Sequence, residues 1–221
     1  MTFTWLLAGA PNVGKSALFG RLTGLYATVS NYPGTSVEVT TGTRGAGAAA
    51  VEVSDTPGLY ALLAVTEEER VARQAIFAAR GAAVIHVVDA SHLDRALPLT
   101  LQLLALGTPL VLACNHLDEA RRRGVAPDLA LLSERLGIPV VGTVATTGEG
   151  VEALAGAARL APVPSDGWGL PQPFAAGVAA ATDAEGAARL EAELALCCDA
   201  DLAATVAERD PPRWRDAVEA T

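Results

Sequence analysis

A glycine-rich loop between an apolar run and an amphipathic run is the feature that most limits how this chain can fold. The loop is Gly9-Ala-Pro-Asn-Val-Gly-Lys-Ser16; residues 4–8 before it are apolar, and residues 17–23 after it have helical spacing. Backbone N–H groups of such a loop converge on a phosphate, and the N-terminus of the following helix adds partial positive charge. Strand, loop and helix together therefore predict a phosphate site in an α/β fold.

Two side chains of this loop give the predicted site its chemistry. Lys15 reaches the β- and γ-phosphates of a nucleotide, and the Ser16 hydroxyl is a ligand for Mg²⁺. The loop and first helical residues that we expect to bind the nucleotide are Gly9, Ala10, Pro11, Asn12, Val13, Gly14, Lys15, Ser16 and Ala17.

The composition is that of one α/β domain with a small appendage. The chain has 221 residues, of which 51% are hydrophobic, enough for one full core. No apolar run reaches the roughly 18 residues that cross a bilayer, and no secretory signal is visible. The three cysteines, Cys114, Cys197 and Cys198, form no disulfide framework. We therefore expect a soluble protein in a reducing compartment, with Cys197 and Cys198 packed in a helix rather than bound to metal.

The charge balance argues against one class of partner. The net charge is −9, whereas nucleic-acid binding needs a concentrated basic face for the phosphate backbone. The basic run at residues 121–123, Arg-Arg-Arg, is better explained as a solvated helix end than as a contact patch for RNA or anionic lipid. We therefore expect no nucleic-acid partner.

Strand and helix patterns alternate up to about residue 160. Repeated βα units build a mostly parallel sheet flanked by helices, with the functional loops at the carboxyl ends of the strands. A turn at residues 45–47 joins two of the strands into a hairpin. The predicted strands cover residues 4–8, 37–43, 49–53, 84–88, 109–114 and 139–143, and the predicted helices cover 17–23, 67–79, 97–106 and 150–160.

The composition changes after residue 160. Four prolines and two glycines at residues 161–173 predict a linker. Residues 174–221 carry helix-start signals and are rich in Ala, Leu and Glu, which predicts a small helical region. We expect a nucleotide-binding domain at 1–160, a linker at 161–173 and a helical appendage at 174–221.

A second motif belongs to the same predicted phosphate site. Asp55-Thr-Pro-Gly58 ends the second strand of the hairpin. An Asp in this place holds a water bound to Mg²⁺, and the N–H of Gly58 meets a γ-phosphate. The segment therefore supplies a metal ligand and a phosphate contact.

A third motif, Asn115-His-Leu-Asp118, predicts the base. Asp118 accepts two hydrogen bonds from guanine N1 and N2, which adenine does not offer, so the site selects GTP over ATP. Ala145 presents its N–H to guanine O6. Asp118 has an alternative role that can hold at the same time, the N-cap of a helix over residues 119–123. The expected base-side contacts are Asn115, His116, Asp118, Val144, Ala145 and Thr146.

Further segments carry a family resemblance. They are Val29-Ser-Asn-Tyr-Pro-Gly-Thr-Ser-Val-Glu38, Asp55-Thr-Pro-Gly-Leu-Tyr60, Val87-Val-Asp-Ala-Ser-His-Leu-Asp-Arg95 with Leu99-Thr-Leu-Gln-Leu-Leu104, and Gly148-Glu-Gly150. Together with residues 9–16 they resemble the cytoplasmic G domain of the ferrous iron transport protein B family, a P-loop GTPase. The Asn-Tyr-Pro-Gly switch and the Val-Val-Asp-Ala-Ser segment are the most specific parts. The resemblance covers roughly residues 3–160.

The resemblance implies a role in metal transport. In this family, GTP binding and hydrolysis regulate Fe²⁺ uptake through a membrane domain that follows in the chain, on the cytoplasmic side of the bacterial inner membrane. A helical regulatory domain follows the G domain, where residues 174–221 stand. We expect a soluble N-terminal fragment that binds guanine nucleotide; whether it forms a homo-oligomer is open.

Three positions depart from the family pattern. The Mg²⁺-binding Thr of switch I falls in register on Ser36, with Thr35 beside it, and either hydroxyl can serve. Val144 stands where the family commonly has Ser, which removes a hydroxyl that buttresses Asp118, so we expect weaker guanine affinity. His116 stands where many GTPases carry Lys.

Catalysis needs an unusual source of charge. Leu59 stands where Ras-type enzymes carry the glutamine that orients attacking water. The resemblance implies that Asn12 instead helps to bind K⁺, whose charge stabilises the transition state; a loop-stiffening hydrogen bond is the alternative role of Asn12. We expect slow, K⁺-stimulated GTP hydrolysis. The expected catalytic residues are Asn12, Lys15, Thr35, Ser36 and Gly58, and the expected Mg²⁺ ligands are Ser16, Thr35 or Ser36, and Asp55.

Other charged residues receive structural roles. We expect Arg44, Arg70 and Arg73 at the surface, without a catalytic part. Residues 67–69, Glu-Glu-Glu, are explained better by a solvated helix N-terminus than by a metal cluster. His86, midway along a strand, is expected to be a hydrogen-bonded core residue rather than a general base.

Two other functions stay open. One is a potassium-dependent GTPase of ribosome assembly or tRNA modification, against which the acidic balance argues. The other is a nucleotide-binding switch or scaffold that hydrolyses slowly or barely at all.

Overall fold

A computed structural model describes residues 3–24, 27–79 and 81–164, together with residues 204 and 208. The strands are β1 (Phe3–Ala8), β2 (Ala27–Asn31), β3 (Glu38–Arg44), β4 (Val51–Asp55), β5 (Ala83–Asp89), β6 (Leu110–Asn115) and β7 (Val140–Gly142). The helices are α1 (Lys15–Thr23), α2 (Glu67–Ala78), α3 (Leu93–Ala105), α4 (Leu117–Arg122), α5 (Leu129–Leu136) and α6 (Val151–Arg159), with a 3₁₀ turn at Gly47–Ala49.

The seven strands form one sheet in the order β2-β3-β4-β1-β5-β6-β7. Strands β4, β1, β5, β6 and β7 run parallel, and β2 and β3 are antiparallel to their neighbours. The predicted α/β class, with a mostly parallel sheet flanked by helices, is therefore confirmed, as is the hairpin, which is formed by β3 and β4.

The core lies on both faces of the sheet, because successive side chains of a strand point to opposite faces. On β1, Trp5 and Leu7 pack with α1 and α6, whereas Leu6 and Ala8 pack with α2 and α3. Strands covered on both faces are apolar at most positions. This explains the continuous apolar runs of β5 and β6 in the sequence.

Two elements were not predicted. Strand β2 has only exposed residues, so it shows no alternation of apolar and polar side chains. Helix α5 is short, and its N-cap is Asp128, whose side chain accepts from the N–H of Leu131. Helix α3 begins at Leu93 rather than at residue 97 and contains Pro98, which removes one backbone hydrogen bond close to the helix start.

Residues 161–164 lie at the end of the sheet opposite the loops. After α6 the carbonyl of Pro162 accepts from the N–H of Leu110 at 3.3 Å, at the beginning of β6. Residues 161–164 have no regular secondary structure. The rest of the predicted linker, most of the predicted helical region at 174–221, and Cys197 and Cys198 lie outside the described residues. Within the described residues, no helix has the length and apolarity that a membrane span requires.

Candidate nucleotide-binding site

The glycine-rich loop connects β1 to α1 at the carboxyl end of the sheet. Gly14 has φ 87° and is the N-cap of α1. A Cβ on Gly14 would lie 2.2 Å from Nδ2 of Asn115. The loop therefore needs glycine here both for its left-handed backbone and for close approach to β6.

Lys15 folds back over the loop. Its Nζ donates to the carbonyls of Gly9 and Ala10, both at 3.0 Å, and the residue is buried. Burial lowers the pKa of Lys15, against an opposing effect of the nearby Asp55 carboxylate. Since an ammonium group has three N–H donors, one remains for a ligand.

A hydroxyl and a carboxylate meet beside Lys15. Ser16 Oγ donates to Oδ2 of Asp55 at 2.7 Å. The other carboxylate oxygen, Oδ1, is buried and has no partner among the described residues. Burial raises the pKa of Asp55, while Ser16 and Lys15 oppose the shift. An unpartnered buried carboxylate oxygen next to a serine hydroxyl suits Mg²⁺, which prefers oxygen ligands and keeps several waters.

The segment after Asp55 packs directly on the glycine-rich loop. Thr56 Oγ1 donates to the carbonyl of Leu7 at 2.8 Å, and the N–H of Leu59 donates to the carbonyl of Gly9 at 3.1 Å. A Cβ on Gly58 would lie 2.6 Å from Cγ of Pro11, so no side chain fits there. The Leu59 side chain is fully buried in the core.

Asn115 joins the two halves of the site. Its Nδ2 donates to the carbonyl of Val13 at 2.9 Å. Its Oδ1 accepts from the Thr143 hydroxyl at 3.2 Å and from the N–H of Ala145 at 3.0 Å. The side chain is fully buried. One amide therefore holds the phosphate loop and the base-side loop, residues 143–149, in a fixed relation.

The base-side loop is closed by its own bonds and by α1. Val144 bridges to Glu149 through its backbone, and its side chain is buried in an apolar cluster that includes Leu117. Arg21 donates from Nε to the carbonyl of Ala145 at 3.0 Å and from Nη2 to the carbonyl of Thr146. Arg21 belongs to none of the sequence motifs, so the sequence did not predict its contacts with this loop.

Asp118 and His116 lie at the start of α4. The alternative N-cap role of Asp118 is wrong: α4 begins at Leu117 and its N-cap is His116, with φ 58°. The Asp118 carboxylate is exposed and has no hydrogen-bond partner in the described part of the chain. His116 Nδ1 is 3.6 Å from Oδ2 of Asp89. The ideal Cβ of Gly14 would lie 3.4 Å from its Nε2, so the imidazole lies beside the phosphate loop.

The two switch I candidates differ in their surroundings. The Thr35 hydroxyl donates to the carbonyl of Tyr32 at 3.0 Å and accepts from the N–H of Val37 at 3.2 Å. Ser36 is exposed, and its hydroxyl has no bond to any described residue. The turn thus occupies the Thr35 hydroxyl and leaves the Ser36 hydroxyl available.

Asn12 has a left-handed backbone, with φ 65°, and the residue is exposed. Among the described residues its amide has no hydrogen-bond partner. The alternative role of Asn12, a loop-stiffening bond, therefore has no counterpart in this part of the chain.

Several structural expectations have clear outcomes. His86 is buried and bonded to Thr100 at 3.2 Å, and burial, with Lys15 nearby, lowers its pKa to about 3. The Glu run starts α2, where Glu69 and Thr66 form a capping box; within the described residues no three His, Cys, Asp or Glu side chains are grouped so that they could hold a metal ion.

The expected surface positions of two arginines need correction. Arg73 is buried, and its Nη1 donates to the carbonyl of Leu62 at 3.5 Å. The Arg44 side chain is only 18% exposed. It donates to the carbonyl of Leu22 at 3.1 Å and pairs with Glu152 at 2.7 Å. Helical and strand periodicity gave no sign of these contacts, since long side chains reach across elements.

The basic run at residues 121–123 is partly neutralised. Arg121 pairs with Glu149 at 2.8 Å, and Arg123 lies 3.6 Å from the Glu119 carboxylate. Both side chains are about half exposed. This agrees with the predicted solvated helix end.

Comparison with known proteins gives a family match over most of the described residues. The model of the family "Ferrous iron transport protein B" matches residues 3–158. A Fe(2+) transporter FeoB of Legionella pneumophila (strain Lens) is 40% identical over 153 residues, which are 67% of this chain and 20% of that protein. A Fe(2+) transporter FeoB of Salmonella typhimurium is 43% identical over 152 residues, with the same coverage. The chain thus spans about a fifth of the length of these relatives.

Solved structures of FeoB cytosolic domains are similar to this chain over nearly its whole length. An NFeoB mutant from S. thermophilus bound to GDP has a TM-score of 0.86 at 28% identity and covers 99% of this chain and 88% of that one. NFeoB from S. thermophilus bound to GDP.AlF4- and K+ has a TM-score of 0.80 at 28% identity, with 99% and 89% coverage. The cytosolic domain of L. pneumophila FeoB has a TM-score of 0.81 at 30% identity and covers 98% and 97%.

Proposed function

This chain belongs to the ferrous iron transport protein B family, and from that premise we propose that its nucleotide site binds guanine nucleotide with Mg²⁺ and hydrolyses GTP to GDP and phosphate. The observation that carries this proposal is the group formed by Lys15, Ser16 and Asp55 at the glycine-rich loop. Within the described residues, Asp55 Oδ1 in this group is buried without a partner, which supports a role for it toward a metal ion at the phosphates.

On the phosphate side, the chain supplies donors that are already in place. The loop N–H groups and the third N–H of Lys15 bind phosphate oxygens, and the N–H of Gly58 approaches the γ-phosphate beside Pro11. Ser16 and Asp55 hold Mg²⁺, which neutralises charge on the phosphates when bound. From switch I we propose Ser36 as the further Mg²⁺ ligand, because the Thr35 hydroxyl is occupied by its turn.

On the base side, selectivity rests on three groups. The exposed Asp118 carboxylate accepts from guanine N1 and N2. Asn115 has one amide N–H left after its bond to Val13. The backbone N–H groups of Ala145 and Thr146 are proposed as the donors to guanine O6, although that of Ala145 already donates to Asn115 Oδ1.

Catalysis relies on charge rather than on a side chain that orients water. Leu59 lies in the core, so it contributes nothing at the γ-phosphate. The free amide of Asn12 is proposed to hold K⁺, with switch I carbonyls at residues 31–34 completing the shell; the ion supplies positive charge at the β- and γ-phosphates when bound. A solved S. thermophilus relative contains GDP.AlF4- and K+, which supports this assignment.

For the whole protein we propose that nucleotide turnover regulates Fe²⁺ uptake by a membrane domain in a longer chain, with the G domain on the cytoplasmic side of the bacterial inner membrane. The support is the family match and the named function of longer relatives, of which the matched residues make up 20%. The same match does not favour a ribosome-assembly or tRNA-modification GTPase, nor a scaffold that does not hydrolyse.

The guanine assignment is tested by titration with GDP and ADP. The native protein should bind GDP and ignore ADP. Asp118→Asn should weaken GDP binding by roughly 1 to 3 kcal/mol, because the amide places a donor against a guanine N–H. Asp128→Asn is the matched control, since Asp128 is the N-cap of α5 and Asn caps equally well. Comparable affinities of the native protein for GDP and ADP would refute guanine selectivity.

The potassium assignment is tested by single-turnover GTP hydrolysis. Hydrolysis should be about tenfold faster in K⁺ than in Na⁺ or Li⁺, which corresponds to about 1.4 kcal/mol. Asn12→Gly should remove this difference and leave GDP binding intact, because glycine accepts the left-handed backbone at φ 65°. Asn12→Ala is a second variant that removes the amide but adds backbone strain. Equal native rates in K⁺ and Na⁺ would eliminate the ion mechanism.

A further inference from the structure

Arg21 connects helix α1 to the base-side loop. Its guanidinium donates from Nε to the carbonyl of Ala145 at 3.0 Å and from Nη2 to the carbonyl of Thr146. The same helix begins with Lys15 and Ser16, the two side chains at the phosphates. The nine-residue helix α1 therefore carries two side chains that are predicted to act at the phosphates and also Arg21, whose two bonds clamp the base-side loop.

The clamp fixes the direction of one particular N–H group. In a trans peptide the C=O of one residue and the N–H of the next point in opposite directions within one plane. A bond from Arg21 to the carbonyl of Ala145 therefore turns the N–H of Thr146 away from α1.

The neighbouring N–H groups of the loop are already used. The N–H of Ala145 donates to Asn115 Oδ1 at 3.0 Å, and the N–H of Thr147 donates to the carbonyl of Val144 at 3.2 Å. The N–H of Thr146 has no partner among the described residues. It is thus the donor of residues 145–147 that is free for a ligand.

We propose that Arg21 is a positioning residue for base recognition: by holding the carbonyls of Ala145 and Thr146, it aims the N–H of Thr146 at the O6 atom of guanine. This inference rests on the proposed guanine site. Arg21 itself touches no part of the nucleotide.

The chain offers a matched control in Arg44. Arg44 also ties α1 to a distant element, since it donates to the carbonyl of Leu22 at 3.1 Å and to Glu152 on α6. Within the described residues, Arg44 has no hydrogen bond or ion pair to residues 143–149. Arg44→Met therefore removes a comparable tie to α1 while the base-side loop keeps its clamp.

The test uses two ligands that differ at the O6 edge of the base. GDP and the 5′-diphosphate of 2-aminopurine riboside share phosphates, ribose and the 2-amino group, but the second lacks O6 and the hydrogen on N1. The analogue therefore binds more weakly to the native protein, and the test compares how each substitution changes the affinity for each ligand. Both are measured by competition against a fluorescent GDP derivative, for the native protein and for Arg21→Met, Arg21→Lys and Arg44→Met. Thermal melting of each variant is recorded alongside.

Arg21→Met should weaken GDP binding about tenfold, in line with the loss of two hydrogen bonds that act through the loop. Binding of the analogue should not change, because it has no O6 to lose. Arg21→Lys, which keeps one donor, should fall between the native protein and Arg21→Met. Arg44→Met should leave both affinities as they are.

Three results would overturn the proposal. Equal weakening of GDP and the analogue would show that Arg21 acts on the fold, and unchanged GDP binding would show that it does nothing for the base. Equal native affinity for the two ligands would show that O6 is not recognised. If Arg21→Met does not fold, the Arg21→Lys data decide by the same criteria. Failure of the native protein to bind GDP would refute the proposed function itself, and it is visible without any substitution.

Discussion

The phosphate loop and switch I are held in different ways. The phosphate loop, residues 9–16, is bonded to distant parts of the chain: Val13 accepts from Asn115, and Gly9 accepts from Leu59. Switch I, residues 32–37, is held by bonds within itself, from Thr35 and Val37 to neighbours along the chain. The strand that leads into switch I, β2, is exposed along its whole length.

This difference indicates which part of the site has its binding conformation before a ligand binds. A loop tied to the core by buried bonds keeps its shape, whereas a segment with few long-range contacts opens at low free-energy cost. We therefore expect the phosphate loop to be preorganised and switch I to be ordered by the nucleotide and its metal.

The largest effect should come from placing the same substitution in both regions. Gly14 and Gly34 have φ 87° and φ 79°, so alanine adds about 1 to 2 kcal/mol of strain at either. The new Cβ would strike Asn115 Nδ2 at 2.2 Å from Gly14, whereas nothing lies within 4 Å at Gly34. Urea denaturation should show a loss of about 3 kcal/mol or more for Gly14→Ala and about 1 kcal/mol for Gly34→Ala. Equal losses of unfolding free energy would mean that the phosphate loop is held no more rigidly than switch I.

A second comparison lies within switch I. Ser36→Ala should slow Mg²⁺-dependent GTP hydrolysis by about tenfold or more, equivalent to at least about 1.4 kcal/mol, because it removes the available hydroxyl. Thr35→Ala should cost less than about 1 kcal/mol of stability, since its bonds are local and partly exposed, and should leave the rate nearly unchanged. Single-turnover rates at saturating Mg²⁺ compare the two variants. A slower rate for Thr35→Ala than for Ser36→Ala would assign the metal to Thr35.

A further prediction concerns pH and the part of the molecule beneath the phosphate loop. His86 lies in β5 under the phosphate loop, and its pKa is lowered from 6.5 to about 3. The unfolded chain therefore binds this proton at a higher pH than the folded chain. Stability should fall as pH decreases from 6.5 towards 3, by at most about 1.4 kcal/mol per pH unit from this residue. His86→Asn, which keeps a partner for Thr100, should flatten the dependence; an unchanged slope would assign it to other groups.

The elements and motifs with local signals were predictable. The phosphate loop, the hairpin and the buried strands follow from short-range patterns of glycine and β-branched residues. Strand β2 was missed because its exposed residues carry no alternation, and helix α5 because it is short and follows a polar turn.

The bonds that hold the site together were not predictable. Arg21 and Ala145 are 124 residues apart in the chain, and Asn115 and Val13 are 102 apart. Such partners are chosen by the packing of whole elements. The burial of Arg73 has the same origin, because helical spacing says which face a residue occupies but not how far a long side chain reaches. The nucleotide-contacting roles of the motif residues stay predictions, as does the helical region at 174–221.

The carbonyl of Pro162 accepts from the N–H of Leu110, which places residues 161–164 at the beginning of β6. Strand β6 has six residues between Leu110 and Asn115, which is about 20 Å at the usual rise. Residues 161–164 therefore lie at the opposite end of β6 from Asn115 and the glycine-rich loop. Under the proposed function, a change at the nucleotide site reaches these residues only along the strands or around the edge of the sheet.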